Sequence, residues 1–95
     1  MSAARARTDV DDPRVRVTTW TFDQPGDATG PHVHEYDYIV VPVTGGTFTI
    51  NEAGGARREM TQDAGSPYTG TAGTAHDVVS TSTARVVFVE IELKK

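Results

Sequence analysis

Short runs of Val, Ile, Thr and aromatic residues, each cut off by Gly, Pro, Asp or Asn, restrict this chain more than any other feature. No stretch sustains a helical apolar period, so the pattern predicts strands and no long helix. Residues 14–22 read as a strand, and 24–31, with two Gly-and-Pro clusters, as a turn or loop. Residues 38–43 read as a second apolar strand, in which Pro42 has no N–H for a ladder and marks an edge or a bulge. Residues 47–51 are expected to continue it beyond Gly45 and Gly46. A hairpin loop over 51–56 then leads to a polar strand at 57–61. After a loop with Gly65, Pro67, Gly70 and Gly73, another strand starts near His76. In 85–93 the side chains alternate. Val87, Val89, Ile91 and Leu93 are the expected core face, and Val86, Phe88, Glu90 and Glu92 the other, where Phe88 and Val86 offer an apolar contact to a second subunit.

Strands without helices must close on themselves or pair face to face to hide their edges. At 95 residues there is material for one core only. The expected architecture is therefore all-β, a small barrel or jelly roll able to hold one small ligand in its middle. Residues 1–12 read as a flexible tail or an edge strand, and 13–95 as the single domain.

Composition removes several classes of chemistry. With no cysteine there is no disulfide, thiol nucleophile or thiolate ligand, so any metal must rest on nitrogen and oxygen. A net charge of -4 with nine scattered Lys and Arg argues against nucleic acid as a partner. Arg5 and Arg7 precede the acidic Asp9, Asp11 and Asp12 with no apolar run between, unlike a secretory signal. No segment approaches the about 18 consecutive apolar residues of a membrane span. A cytoplasmic protein that contacts no membrane is expected.

His32, His34 and His76 are the three histidines of the chain. Imidazole is the side chain best suited to a divalent metal. Two positions apart on an extended strand, His32 and His34 leave the same face, with about 7 Å of rise between them. A third imidazole from another strand would close three corners of a coordination shell. Asp77, next to His76, faces the opposite way, which excludes a Ser/His/Asp arrangement. Ser80 shares the parity of His76 and could orient it, but a surface position is the expectation. Gly26, Gly45, Gly65 and Gly73 read as turn glycines that allow positive φ.

These spacings carry a resemblance. Gly26, five residues, His32, Val33, His34, three residues, Tyr38, six residues and Gly45 are similar to the first cupin motif, G(x)5HxH(x)3-4E(x)6G. Gly65, five residues, Thr71, Ala72, Gly73, two residues, His76, three residues and Ser80 resemble the second, G(x)5PxG(x)2H(x)3N, with Thr71 for Pro and Ser80 for Asn. The run His34-Glu35-Tyr36-Asp37-Tyr38 ahead of Val40-Val41-Pro42 is similar to small single-domain bacterial cupins, some of which carry a β-alanine degradation label.

The resemblance implies a cupin barrel (a double-stranded β-helix) over 13–95, and His32, His34 and His76 as ligands of one divalent transition metal. Iron, zinc, manganese, nickel and copper stay equal candidates. Tyr38 stands where the family places a glutamate ligand, as a hydrogen-bond donor to bound substrate, as a phenolate ligand or as packing. Three neutral imidazoles leave the ion its full double charge, so the centre should favour a small anionic substrate. Tyr68, in the loop that delivers His76, and Tyr36 are the candidate pocket residues, and Trp20, Phe22 and Phe48 the other aromatics available to line it. The implied activity is that of a metal-dependent oxygenase, resembling the three-histidine cupins that oxidise thiols. A non-redox isomerase or lyase on the same metal, and a non-catalytic ligand-binding barrel, are the alternatives. Such small cupins are commonly homodimers that pair their sheets.

Overall fold

A computed structural model describes residues 2–94. In chain order the strands are β1 (Arg5–Asp11), β2 (Val15–Phe22), β3 (His32–Val33), β4 (Asp37–Pro42), β5 (Gly46–Glu52), β6 (Arg57–Gln62), β7 (Tyr68–Gly70), β8 (Ala75–Ser80) and β9 (Val86–Leu93). Among the described residues there is no helix, and so none long and apolar enough to cross a membrane. The strands form two sheets of order β1-β2-β9-β4-β7 and β3-β8-β5-β6. Every pairing is antiparallel. This is the all-β architecture expected from the strand pattern, in the jelly-roll, double-stranded β-helix form that the resemblance implied.

The chain changes sheets where the sequence suggested continuity. β4 belongs to the five-stranded sheet and β5 to the four-stranded one, so Gly45 and Gly46 make a crossing between sheets. A Cβ on Gly46 would collide with the Val86 side chain, so only glycine lets the backbone pass there. Gly45, unlike Gly26, Gly65 and Gly73, does not have positive φ. β7 pairs only with Tyr38 to Val40, so Pro42 lies beyond its end, at a local sheet edge where a missing N–H costs no ladder bond.

Phe22, Phe48 and Phe88 meet between the sheets with ring centroids 5.1, 5.7 and 6.0 Å apart. Val40, Ile50, Val78 and Val86 complete this buried core. The face assignment of the last strand is therefore corrected. Val86 and Phe88 point inward, at 0% and 5% exposure, and Val87, Val89, Ile91 and Leu93 form the outer face. Counting apolar residues misled here because the inner face ends in Glu90 and Glu92, at the polar end of the barrel. Phe88 is consequently a core residue and no candidate subunit contact.

Candidate metal centre

β3 and β8 pair with His32 opposite His76, which brings residues 44 positions apart in sequence to adjacent places in one sheet. His34 follows β3, and its backbone is pinned to the loop before β8. Its N–H donates to the Thr74 carbonyl at 2.8 Å, and its carbonyl accepts from Gly73 N–H at 2.8 Å. Gly73 adopts φ +90°, a left-handed geometry that favours glycine at this turn.

The three rings converge on their Nε2 atoms. His34 Nε2 lies 3.2 Å from His32 Nε2 and 3.1 Å from His76 Nε2. Metal–nitrogen bonds near 2.1 Å put adjacent ligands about 3.0 Å apart on an octahedron and about 3.4 Å on a tetrahedron. Both spacings to His34 fall in that interval. A single hydrogen cannot bridge three nitrogens, whereas one cation would satisfy all three lone pairs, so the donor set fits a divalent transition metal.

The surroundings prepare the nitrogens for that role. His32 Nδ1–H donates to the Gly30 carbonyl at 2.8 Å, which leaves Nε2 unprotonated and aimed at the centre. Gly30 is held in turn by Asp77, whose Oδ1 accepts from Gly30 N–H at 3.1 Å. Asp77 thus faces away from the rings, as strand parity requires, yet still supports them. Burial, and next the neighbouring His32, push the pKa of His34 and of His76 down to about 4. Both rings are neutral and able to ligate at neutral pH.

Tyr38 lies flat against His34, with centroids 3.9 Å and planes 20° apart. Its ring covers Gly70, its register partner on β7, and its hydroxyl contacts the Thr74 side chain. Burial and then Glu90 raise the phenol pKa, so the hydroxyl stays protonated. A cavity of about 500 Å³ opens beside the centre, lined by the three histidines, Tyr38, Tyr68 and an apolar wall of Val40, Phe48, Ile50, Val78 and Phe88. Trp20 also lines it, while Phe22 is wholly core. Tyr36 is not among the lining residues. It sits in the bend between His34 and β4, where the alternation that would have pointed it inward is broken. Ser80, expected at the surface, is 1% exposed and accepts from Ser82 N–H away from the rings.

Sequence reasoning missed two carboxylates and two arginines. Glu90 and Glu92 enter from β9, and an oxygen of each lies within 4.8 Å of a His34 nitrogen and of the other. Arg16 on β2 clamps Glu92 at 2.6 and 2.9 Å, neutralising it. Among the described residues Glu90 has neither ion pair nor hydrogen bond, and burial followed by Glu92 pushes its pKa up to about 7. Arg58 on β6 reaches the cavity from the other sheet while pairing with Glu52 at 2.8 Å. The available signal was the i, i+2 pair Glu90 and Glu92 within an apolar strand, where two charges on one face are costly unless that face has a polar task.

Fold and site together define a cupin, and comparisons with known proteins agree. A cupin domain from Bordetella pertussis superposes with a TM-score of 0.92 at 38% identity, covering 99% of this chain and 96% of that one. A cupin superfamily protein from Desulfitobacterium hafniense has the same fold, with a TM-score of 0.74 at 13% identity over 97% of this chain and 78% of that one. No protein-family model matches the sequence. The chain belongs to the cupin superfamily. Within it, the chain is similar to the β-alanine degradation protein BauB of Pseudomonas aeruginosa, at 45% identity over 85 residues, 90% of this chain and 87% of that protein.

Proposed function

We propose that this cupin is a metalloenzyme that binds one divalent transition metal through His32, His34 and His76 and acts on a small anionic metabolite, first as an oxygenase. The observation that carries this reading is the 3.1 and 3.2 Å convergence of three Nε2 atoms, with the His32 tautomer set by Gly30. The metal, when bound, would supply Lewis acidity or activation of dioxygen. The chain's own residues do the rest. Three neutral imidazoles leave the positive charge of the centre uncompensated, which draws a carboxylate, enolate or thiolate. The apolar wall excludes water around a short carbon chain. Tyr38 keeps its proton and holds His34 in plane. The name of the BauB relative, β-alanine degradation, fits a substrate of this size and charge.

Metal analysis of protein purified without chelator, beside His34→Ala, tests the centre. Oxygen uptake by iron-loaded protein with a panel of small acids and thiols tests the reaction class. No uptake with any of them discards the oxygenase in favour of a non-redox isomerase or lyase on the same metal. A loaded protein that binds these acids and converts none is a ligand-binding barrel.

We propose further that two copies pair through the outer face of the five-stranded sheet. Register places Ile91 between Val17 and Ile39, and Val89 beside Val41, so aliphatic side chains form one continuous patch on a face that antiparallel sheets usually leave polar.

A further inference from the structure

Glu90 has no role in the centre as described above. It is half-buried, lines the main cavity, and projects from β9 toward His34. Glu92, two residues on, has the same orientation, but both its oxygens are taken by Arg16. Glu90 also lines a second cavity of about 440 Å³, which it shares with His32, His34, Thr8, Thr18, Arg16 and Glu92. It therefore stands at the junction of the two spaces. No described side chain donates to it. A carboxylate placed in a largely apolar chamber without a donor is costly unless a bound molecule supplies one.

The other charged group of the main cavity is Arg58, contributed by the opposite sheet and 56% exposed at the mouth. With a metal bound the chamber thus offers positive character at the three-histidine centre, a second cation at Arg58 whose charge is shared with Glu52, and one acceptor at Glu90. Between them lie aliphatic and aromatic walls suited to a few methylenes. A molecule complementary to all of these carries a carboxylate at one end and an N–H or O–H donor at the other.

We infer that Glu90 is the substrate-orienting residue of this site, accepting a hydrogen bond from a hydroxyl or ammonium group of a short-chain acid whose anionic end is held by the centre. This rests on the metal-centre reading and narrows its substrate class. An oxygen of Glu90, with one of Glu92, also lies within 4.8 Å of a His34 nitrogen, close enough for these three to hold an ion themselves. Glu92 is taken by Arg16, and the inference puts Glu90 on the substrate, so its replacement should leave metal affinity intact.

The test uses cobalt(II)-loaded full-length protein and three probes of one chain length: propionate, 3-hydroxypropionate and 3-aminopropionate. Binding is read from the cobalt visible band and by calorimetry. Wild type should bind the hydroxy acid, the amino acid or both about tenfold more tightly than propionate, the value of a charge-assisted hydrogen bond. Glu90→Met should remove the preference while keeping cobalt affinity, which also shows that the variant is folded. Glu90→Gln, which keeps an acceptor oxygen without the charge, should retain preference for the hydroxyl and lose it for the ammonium. That pair of variants identifies which donor the site takes. A cobalt band with no preference among the probes in wild type, no measurable binding of any of the three, or a preference that survives in Glu90→Met overturns the inference and leaves the metal centre standing. Absence of the cobalt band removes the metal-centre reading and this inference with it.

Discussion

His34 and Tyr38 are stacked ring on ring, 3.9 Å between centroids, so the residue at the family's glutamate position supports a candidate ligand by packing on it. The phenol ring occupies the space above Gly70. Tyr38→Phe should therefore leave metal affinity unchanged in a cobalt titration. Gly70→Ala should be costly, because its methyl group would overlap the Tyr38 ring and displace it from His34. We expect a loss of about 1–3 kcal/mol in chemical denaturation, together with weaker metal binding. Equal loss of metal in Tyr38→Phe would instead mark the hydroxyl as a ligand.

Asp77 should matter without touching the metal. It fixes Gly30, and Gly30 fixes the His32 tautomer. Asp77→Ala is expected to weaken metal binding about 10- to 100-fold while the fold persists. Circular dichroism and a competition titration on the same sample separate the two effects.

Acid should act on the apo-protein in a defined window. His34 and His76 have folded pKa values of about 4 against an ordinary 6.5. Between these values the unfolded chain takes up protons that the folded chain refuses, so stability falls as pH falls from 6.5 toward 4. Glu90 works in the opposite sense. Raised from 4.5 to about 7, it holds a proton in the folded state that the unfolded chain releases, so its contribution is full below 4.5 and is lost as pH rises through 7. Thermal unfolding of chelator-treated protein should show a steeper acid decline in Glu90→Gln than in wild type. Parallel curves would mean that Glu90 titrates normally.

The outer sheet face makes a prediction about assembly. Ile91 lies at the middle of the aliphatic patch, between Val17 and Ile39. Ile91→Lys should convert a particle of twice the chain mass into a folded monomer, as read by light scattering, because an unpaired charge at an apolar interface costs several kcal/mol. A wild type already monomeric at high concentration would rule out pairing through this face.

Much of the architecture was legible in the residues. Turn residues at short intervals gave the strands, and the absence of a helical period gave the fold class. The histidine spacing gave two of the three candidate ligands, since His32 and His34 had to share a face whatever the fold, and the motif resemblance gave His76. The last strand was misread, and Tyr36 lies outside the cavity lining. Parity says which side chains lie together but not which side is inside, and it fails wherever a bend interrupts the strand, as it does between His34 and Asp37.

What the sequence determined alone was local: strand breaks, left-handed glycines such as Gly73, and which neighbours share a face, all set by dihedral preferences within a few residues. Tertiary structure decided the rest. That His76 stands opposite His32, that Glu90 approaches His34 from the other sheet, and that Arg16 pairs with Glu92 but not Glu90 follow from strand order and register. These contacts span 44, 56 and 76 positions of sequence, respectively, for His32 to His76, His34 to Glu90 and Arg16 to Glu92. No local preference encodes them; they arise when two sheets close over one interior and the polar groups left inside must find partners, or a ligand.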